Sequence, residues 1–134
     1  MEKIKNTFSL VLFYLSIVFV NSSHAQTFEQ CNKIASEVNK ICPMKVDKIT
    51  TAKSEVCFPK KNKIIFTYFM EVDINEGSSL NQNALDAYKP KVVKMWCTDP
   101  AQLVLLKIYP IQYKYSFNTG QFIGEINFSL NDCS

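Results

Sequence analysis

The residues best able to do chemistry in this chain are its five cysteines, Cys31, Cys42, Cys57, Cys97 and Cys133. No two stand as Cys-x-x-Cys, so neither a thioredoxin-type redox pair nor a zinc knuckle is expected. The single histidine, His24, precedes all of them. Without it the chain has no imidazole. Ser-His-Asp and Cys-His nucleophile pairs, His-ligated zinc and general catalysis near neutral pH are then excluded. Asp47, Glu55, Glu71 and Asp73 could do acid–base work if two of them converged. Their spacing does not require it, and solvated strand faces account for them. Glu71, Asp73, Asn75 and Glu76 lack the calcium-loop spacing and its glycine. No catalytic, cofactor-binding or metal-ligating residue is therefore assigned, and no cofactor is expected.

Two other groups could bind rather than react. Tyr113 and Tyr115 share a face with Phe117 and would suit stacking against bases or sugars if exposed. Core packing with hydroxyls reaching the edge is the commoner use of such a face. Lys60, Lys61 and Lys63 crowd one polar turn, and Lys89, Lys91 and Lys94 follow on a second segment. Either set could meet an acidic partner or phosphates, although solvated charge is the ordinary state of surface lysines. The 15 basic residues are all Lys and the net charge is only +3. That is too little for steering towards nucleic acid, and no guanidinium is present for bidentate readout.

The N-terminus sets the compartment. Lys3 and Lys5 form a basic start, Phe8 to Val20 is largely apolar, and Ser23-His24-Ala25 fits a small-x-small cleavage site. The apolar run is shorter than the roughly 20 residues of a membrane span. Residues 1–25 are expected to be a signal peptide and 26–134 a single exported domain, periplasmic or secreted, with no stable membrane anchor. Cys31 follows Phe28-Glu29-Gln30 rather than a lipoprotein-type sequence.

Export makes disulfides the default fate of the cysteines. If Cys31 and Cys42 shared one helix, about 16 Å of rise would separate them, well beyond the roughly 7 Å that a bridge spans. Cys97–Cys133 is the expected bridge at the C-terminus, where a chain end gains most from being tied down. Cys57 can meet Cys42 or Cys31. Cys42–Cys57 is favoured, which leaves Cys31 as the possible free thiol.

The elements that must place these groups follow from periodicity. Thr27 and Gln30 form a capping-box pattern ahead of an apolar stripe of Phe28, Cys31, Ile34, Ala35, Val38, Ile41 and Cys42, and Pro43 stops the helix. Met44 to Ile49 alternates as a strand, Thr50-Thr51 suggests a bend, and Lys53 to Phe58 a second short strand. Ile64 to Val72 has the strongest strand composition, and its continuous apolarity predicts a central strand covered on both faces. Ser79 can cap a helix from Leu80, with Pro90 kinking it or starting another. Asp99-Pro100 opens a further helix, with Gln102 completing a capping-box-like trio. Ile111 to Phe117 alternates, Asn118-Thr119-Gly120 turns, and a last strand carries Ile126, Phe128 and Leu130 on one face. Gly124 within it suggests a bulge or a close backbone approach. The fold class is α+β: a mostly antiparallel sheet of about five strands with helices packed on one side, stapled by disulfides.

The segments CPMKVDKIT, WCTDPAQLVLL and YKYSFNTGQFIGEINFSLNDC resemble a family of small exported bacterial proteins of unknown function. The matching positions are Met44, Val46, Asp47 and Thr50, then Cys97, Tyr113, Tyr115, Gly120, Asp132 and Cys133. That resemblance implies an exported α+β domain and supports Cys97–Cys133, and it implies no activity. The layout is also similar to the disulfide-bonded pilotins that escort secretins of type II secretion systems, which usually carry a lipidation Cys that this chain lacks. The expected function is that of a non-enzymatic exported protein, binding a protein partner in the envelope or outside the cell, or serving secretion or envelope machinery. The alternatives are a secreted effector or small hydrolase using carboxylates, and a ligand-binding module using the Tyr/Phe strand face.

Overall fold

The computed structural model describes residues 27–134. The expected signal peptide and its cleavage site lie outside the described residues. Helix α1 (Phe28–Asn39) begins with a complete capping box, in which Thr27 accepts from the Gln30 N–H and Gln30 accepts from the Thr27 N–H. Its stripe of Cys31, Ile34, Ala35 and Val38 is buried.

Five strands follow in the order β1-β2-β3-β4-β5 across one sheet. They are β1 (Met44–Lys45), β2 (Thr50–Lys60), β3 (Lys63–Val72), β4 (Ile111–Phe117) and β5 (Phe122–Phe128). Every neighbouring pair is antiparallel except β3–β4. Parallel pairing needs a long crossover. Helices α2 (Ile74–Gly77), α3 (Gln82–Thr98) and α4 (Pro100–Leu106) supply it, and a 3-10 turn (Leu130–Cys133) ends the chain.

The register puts Phe66, Tyr68, Met70 and Val72 of β3 opposite Ile111, Tyr113, Tyr115 and Phe117 of β4. All eight are buried, and Trp96 of α3 packs on Tyr68 and Phe128 at ring-centroid distances of 5.9 and 5.7 Å. Helices and sheet therefore form two layers around one core. The other sheet face carries Val56, Phe58, Thr67, Phe69, Gln112, Lys114, Glu125 and Asn127, with Val56 and Phe58 exposed. β3 is central in the sheet, but among the described residues helices cover only one of its faces. Its odd-numbered residues are shielded by cross-strand neighbours such as Phe58, whose ring meets Phe69 edge-on at 6.3 Å.

Other expectations shift locally. The bend after β1 falls at Val46–Ile49 rather than at Thr50-Thr51. The Asp47 carboxylate accepts from the Ile49 and Thr50 N–H groups at 2.9 and 2.8 Å, a local turn that a short acidic side chain makes. Thr50 to Lys60 is then one strand, with a register shift between Ala52 and Ser54. Asn81, not Ser79, caps α3 by accepting from the Ala84 N–H. Pro90 lies within the single helix α3, on an exposed position, where an unpaired carbonyl one turn earlier can face water. Asp99 caps α4 through the Ala101 N–H with Pro100 in the first turn, while Gln102 is buried.

Candidate functional site

The bridges are Cys31–Cys57 and Cys97–Cys133, with Cα separations of 6.2 and 5.6 Å. The first departs from the expected Cys42–Cys57 pair, and the free thiol is Cys42 rather than Cys31. The cause is helix register. Cys31 sits on the buried stripe of α1 and faces Cys57 on the helix-covered side of β2, whereas the chain has left the helix before Cys42. Burial and the neighbouring Glu55 raise the Cys42 thiol pKa, which keeps it protonated and weakly nucleophilic.

Tyr113 and Tyr115 are 6% and 5% exposed. They cannot offer ring faces to a ligand, and the aromatic-platform reading is set aside. Tyr113 Oη accepts from Trp96 Nε1 at 2.6 Å in the core, and burial pushes both tyrosine hydroxyls far above their ordinary range. Period two marked this face correctly as one surface; which layer covered it depended on the crossover helices.

The carboxylates are dispersed rather than convergent. Asp47 closes a turn, Asp73 caps α2, and Glu71 lies 3.9 Å from Lys53. Glu55 is only 1% exposed and faces the helix layer of β2. Burial holds its carboxyl well above the usual range, and the adjacent Tyr68 hydroxyl offsets this only in part. Nothing in local sequence marked Glu55, because its neighbours Ser54 and Val56 give it no distinguishing context. Asp86 and Glu125 do share a shallow 290 Å³ depression with Lys89. Each already accepts a hydrogen bond there, from Gln82 and Asn127 respectively.

On each side of the sheet a side-chain amide occupies the outward backbone groups of one residue, on β2 beyond the short edge strand β1 and on edge strand β5. Asn39 of α1 donates to the Glu55 carbonyl at 3.0 Å and accepts from the Glu55 N–H at 2.8 Å. Gln82 of α3 does the same for Glu125 of β5, at 2.8 and 2.9 Å. Each amide imitates one residue of an added strand, and Pro59 further along β2 has no N–H to offer. Gly124 makes the second contact possible, since a Cβ there would collide with the Gln82 amide and approach Leu85 to 3.1 Å. Strand addition, a common mode of peptide capture, is thus obstructed at both edges. The amide contacts were not legible in the sequence, because they join residues brought together only by the sheet.

A larger concavity, of about 640 Å³, lies between the β2–β3 turn, the α4–β4 connection and the C-terminal turn. Lys61, Lys63 and Lys107 line it together with Ile108, Leu130 and the buried Leu106. Lys60 is exposed on the same hairpin outside the lining. Lys61 has φ of 55°, which lets the two-residue turn close. Lys61 and Lys63 of the expected lysine cluster thus line this concavity, where Lys107 and Leu130, remote in sequence, join them. Among the described residues, no helix is long and apolar enough to cross a membrane.

The chain matches no family model, and no curated protein matches it. Two solved structures share its fold. One is a Pseudomonas aeruginosa protein thought to be secreted, 16% identical, covering 80% of this chain and 92% of its own, with a TM-score of 0.63. The other is the pilotin EpsS of the Vibrio vulnificus type 2 secretion system, 15% identical, covering 80% and 91%, with a TM-score of 0.62. At these identities the likeness is one of fold: a two-layer α+β domain shared across nearly the whole length of both neighbours.

Proposed function

We propose that this chain is an exported, non-enzymatic accessory protein of the envelope or of secretion machinery, and that it works by binding a protein partner. The observation that carries the reading is the fold likeness to a secretion-system pilotin over 91% of that chain. The two disulfides suit an oxidising compartment. The groups that could have done chemistry are used by the fold: Tyr113 in the core, Asp47 and Asp73 in caps and turns, and four of the cysteines in bridges. On this reading residues 1–25 are removed as a signal peptide and 26–134 form the working domain. The chain groups with small exported bacterial proteins that share its Met44-x-Val46-Asp47 and Asp132-Cys133 motifs.

The test is affinity capture of the tagged protein from the native host after mild cross-linking, with an untagged control. The expected result is a processed chain beginning near Gln26 and one reproducible protein partner. An unprocessed cytoplasmic chain, or repeated capture with no specific partner, would overturn the proposal.

A further inference from the structure

The surface around the 640 Å³ cavity has the anatomy of an interface rather than of a solvated loop. Stable interfaces combine an apolar centre with a polar rim. Here Ile108 and Leu130 supply the apolar centre, and Leu130 is 42% exposed. The rim carries Lys61, Lys63 and Lys107, all exposed. No Asp or Glu lines the cavity. Among the described residues the ion pairs are Lys40–Glu37 and Lys53–Glu71, so none of the three rim lysines is neutralised by this chain.

We propose that this cavity docks an acidic segment of a partner protein, seating an apolar side chain against Ile108 and Leu130 with carboxylates meeting Lys61, Lys63 and Lys107. This rests on the protein-binding reading above and names the surface and the partner chemistry. Charge and apolar surface together select the occupant. Lys61 and Lys63 come from the β2–β3 turn and Lys107 from the end of α4. A compact anion such as phosphate has no use for apolar lining. Three unpaired lysines beside Ile108 and Leu130 fit a segment that carries carboxylates next to an apolar anchor. Asn39 and Gln82 occupy backbone groups of Glu55 and Glu125 that strand addition would use, which favours recognition through side chains.

The test is selection of random twelve-residue displayed peptides against the full chain, followed by fluorescence anisotropy with the recovered peptides. Net-acidic sequences with an internal apolar residue are expected. Their affinity should fall about tenfold in the exposed-surface triple variant Lys61→Gln/Lys63→Gln/Lys107→Gln, and similarly on raising salt from about 50 to about 300 mM. Leu130→Asp, a surface change that opposes both features, should abolish binding with the thermal melt unchanged. Recovery of no binders, of neutral or basic peptides, or of peptides that bind the triple variant equally well would overturn the site. So would binding of inorganic phosphate or phosphatidylglycerol vesicles that the triple variant loses while acidic peptides fail to bind. A partner captured equally by the parent chain and the triple variant would remove this site and leave the protein-binding reading standing.

Discussion

Replacing Glu55 with Gln should flatten the acid side of the stability curve. The Glu55 carboxyl is buried in the helix-facing side of β2, with its pKa raised chiefly by loss of solvation. In the unfolded chain it titrates near the ordinary glutamate value of about 4.3. A raised folded pKa means that the folded state holds the proton more tightly. The contribution is therefore fully present below the unfolded pKa and is lost as pH rises towards the folded value. Over that window the parent loses about 1.4 kcal/mol per pH unit relative to Glu55→Gln. The glutamine keeps the shape and cannot ionise, so the variant should become the more stable protein as pH approaches neutrality. Urea unfolding at pH 4, 5, 6 and 7 with disulfides intact, followed by the fluorescence of the buried Trp96, measures the difference directly. Parallel stability curves for parent and variant would refute the argument, because they would require Glu55 to titrate alike in both states.

Three further outcomes follow from particular contacts. Asn39→Ala removes a side chain that both donates to and accepts from the Glu55 backbone; a loss of about 1–3 kcal/mol is expected in urea unfolding, as for a lost cap or buried hydrogen bond. Gly124→Ala places a methyl against the Gln82 amide; a loss of about 1–3 kcal/mol and faster hydrogen exchange at the Glu125 amide are expected, whereas unchanged exchange would contradict the edge contact. Cys97→Ser with Cys133→Ser opens the C-terminal bridge; the chain-entropy model gives a loss of roughly 3–4 kcal/mol for a loop of this size, readable as a lowered urea midpoint.

Periodicity served where a single covered face decided the pattern. Ile111 to Phe117 alternates perfectly in burial, and the stripe of α1 is buried as its spacing requires. Caps at Thr27 and Asp99 were legible because the side chain meets backbone two or three residues away. The same logic was available at Asp47, where the bend was placed three residues late. Reading failed where partners are remote. Both Cys31 and Cys42 precede Cys57 and both fall on the apolar stripe read from spacing, so only the end of α1 before Cys42 and its facing onto β2 choose between them. The proposed docking surface is half legible in the sequence: Lys61 and Lys63 stand close together there, but Lys107 and Leu130 join them through the parallel β3–β4 crossover and the terminal turn. Buried Glu55 was grouped with solvated carboxylates because alternation around a bulge does not say which face a residue takes.

The most direct measurement is the size of the protein in gently solubilised envelope and culture-fluid fractions of its native host, by native electrophoresis with detection of the processed chain. A binding accessory predicts a discrete complex larger than the monomer, and the lysine-rimmed site further predicts that this complex collapses to monomer for the triple lysine variant or in high salt. A chain that runs as free monomer in every fraction, at every salt concentration and without cross-linkable neighbours, would contradict it.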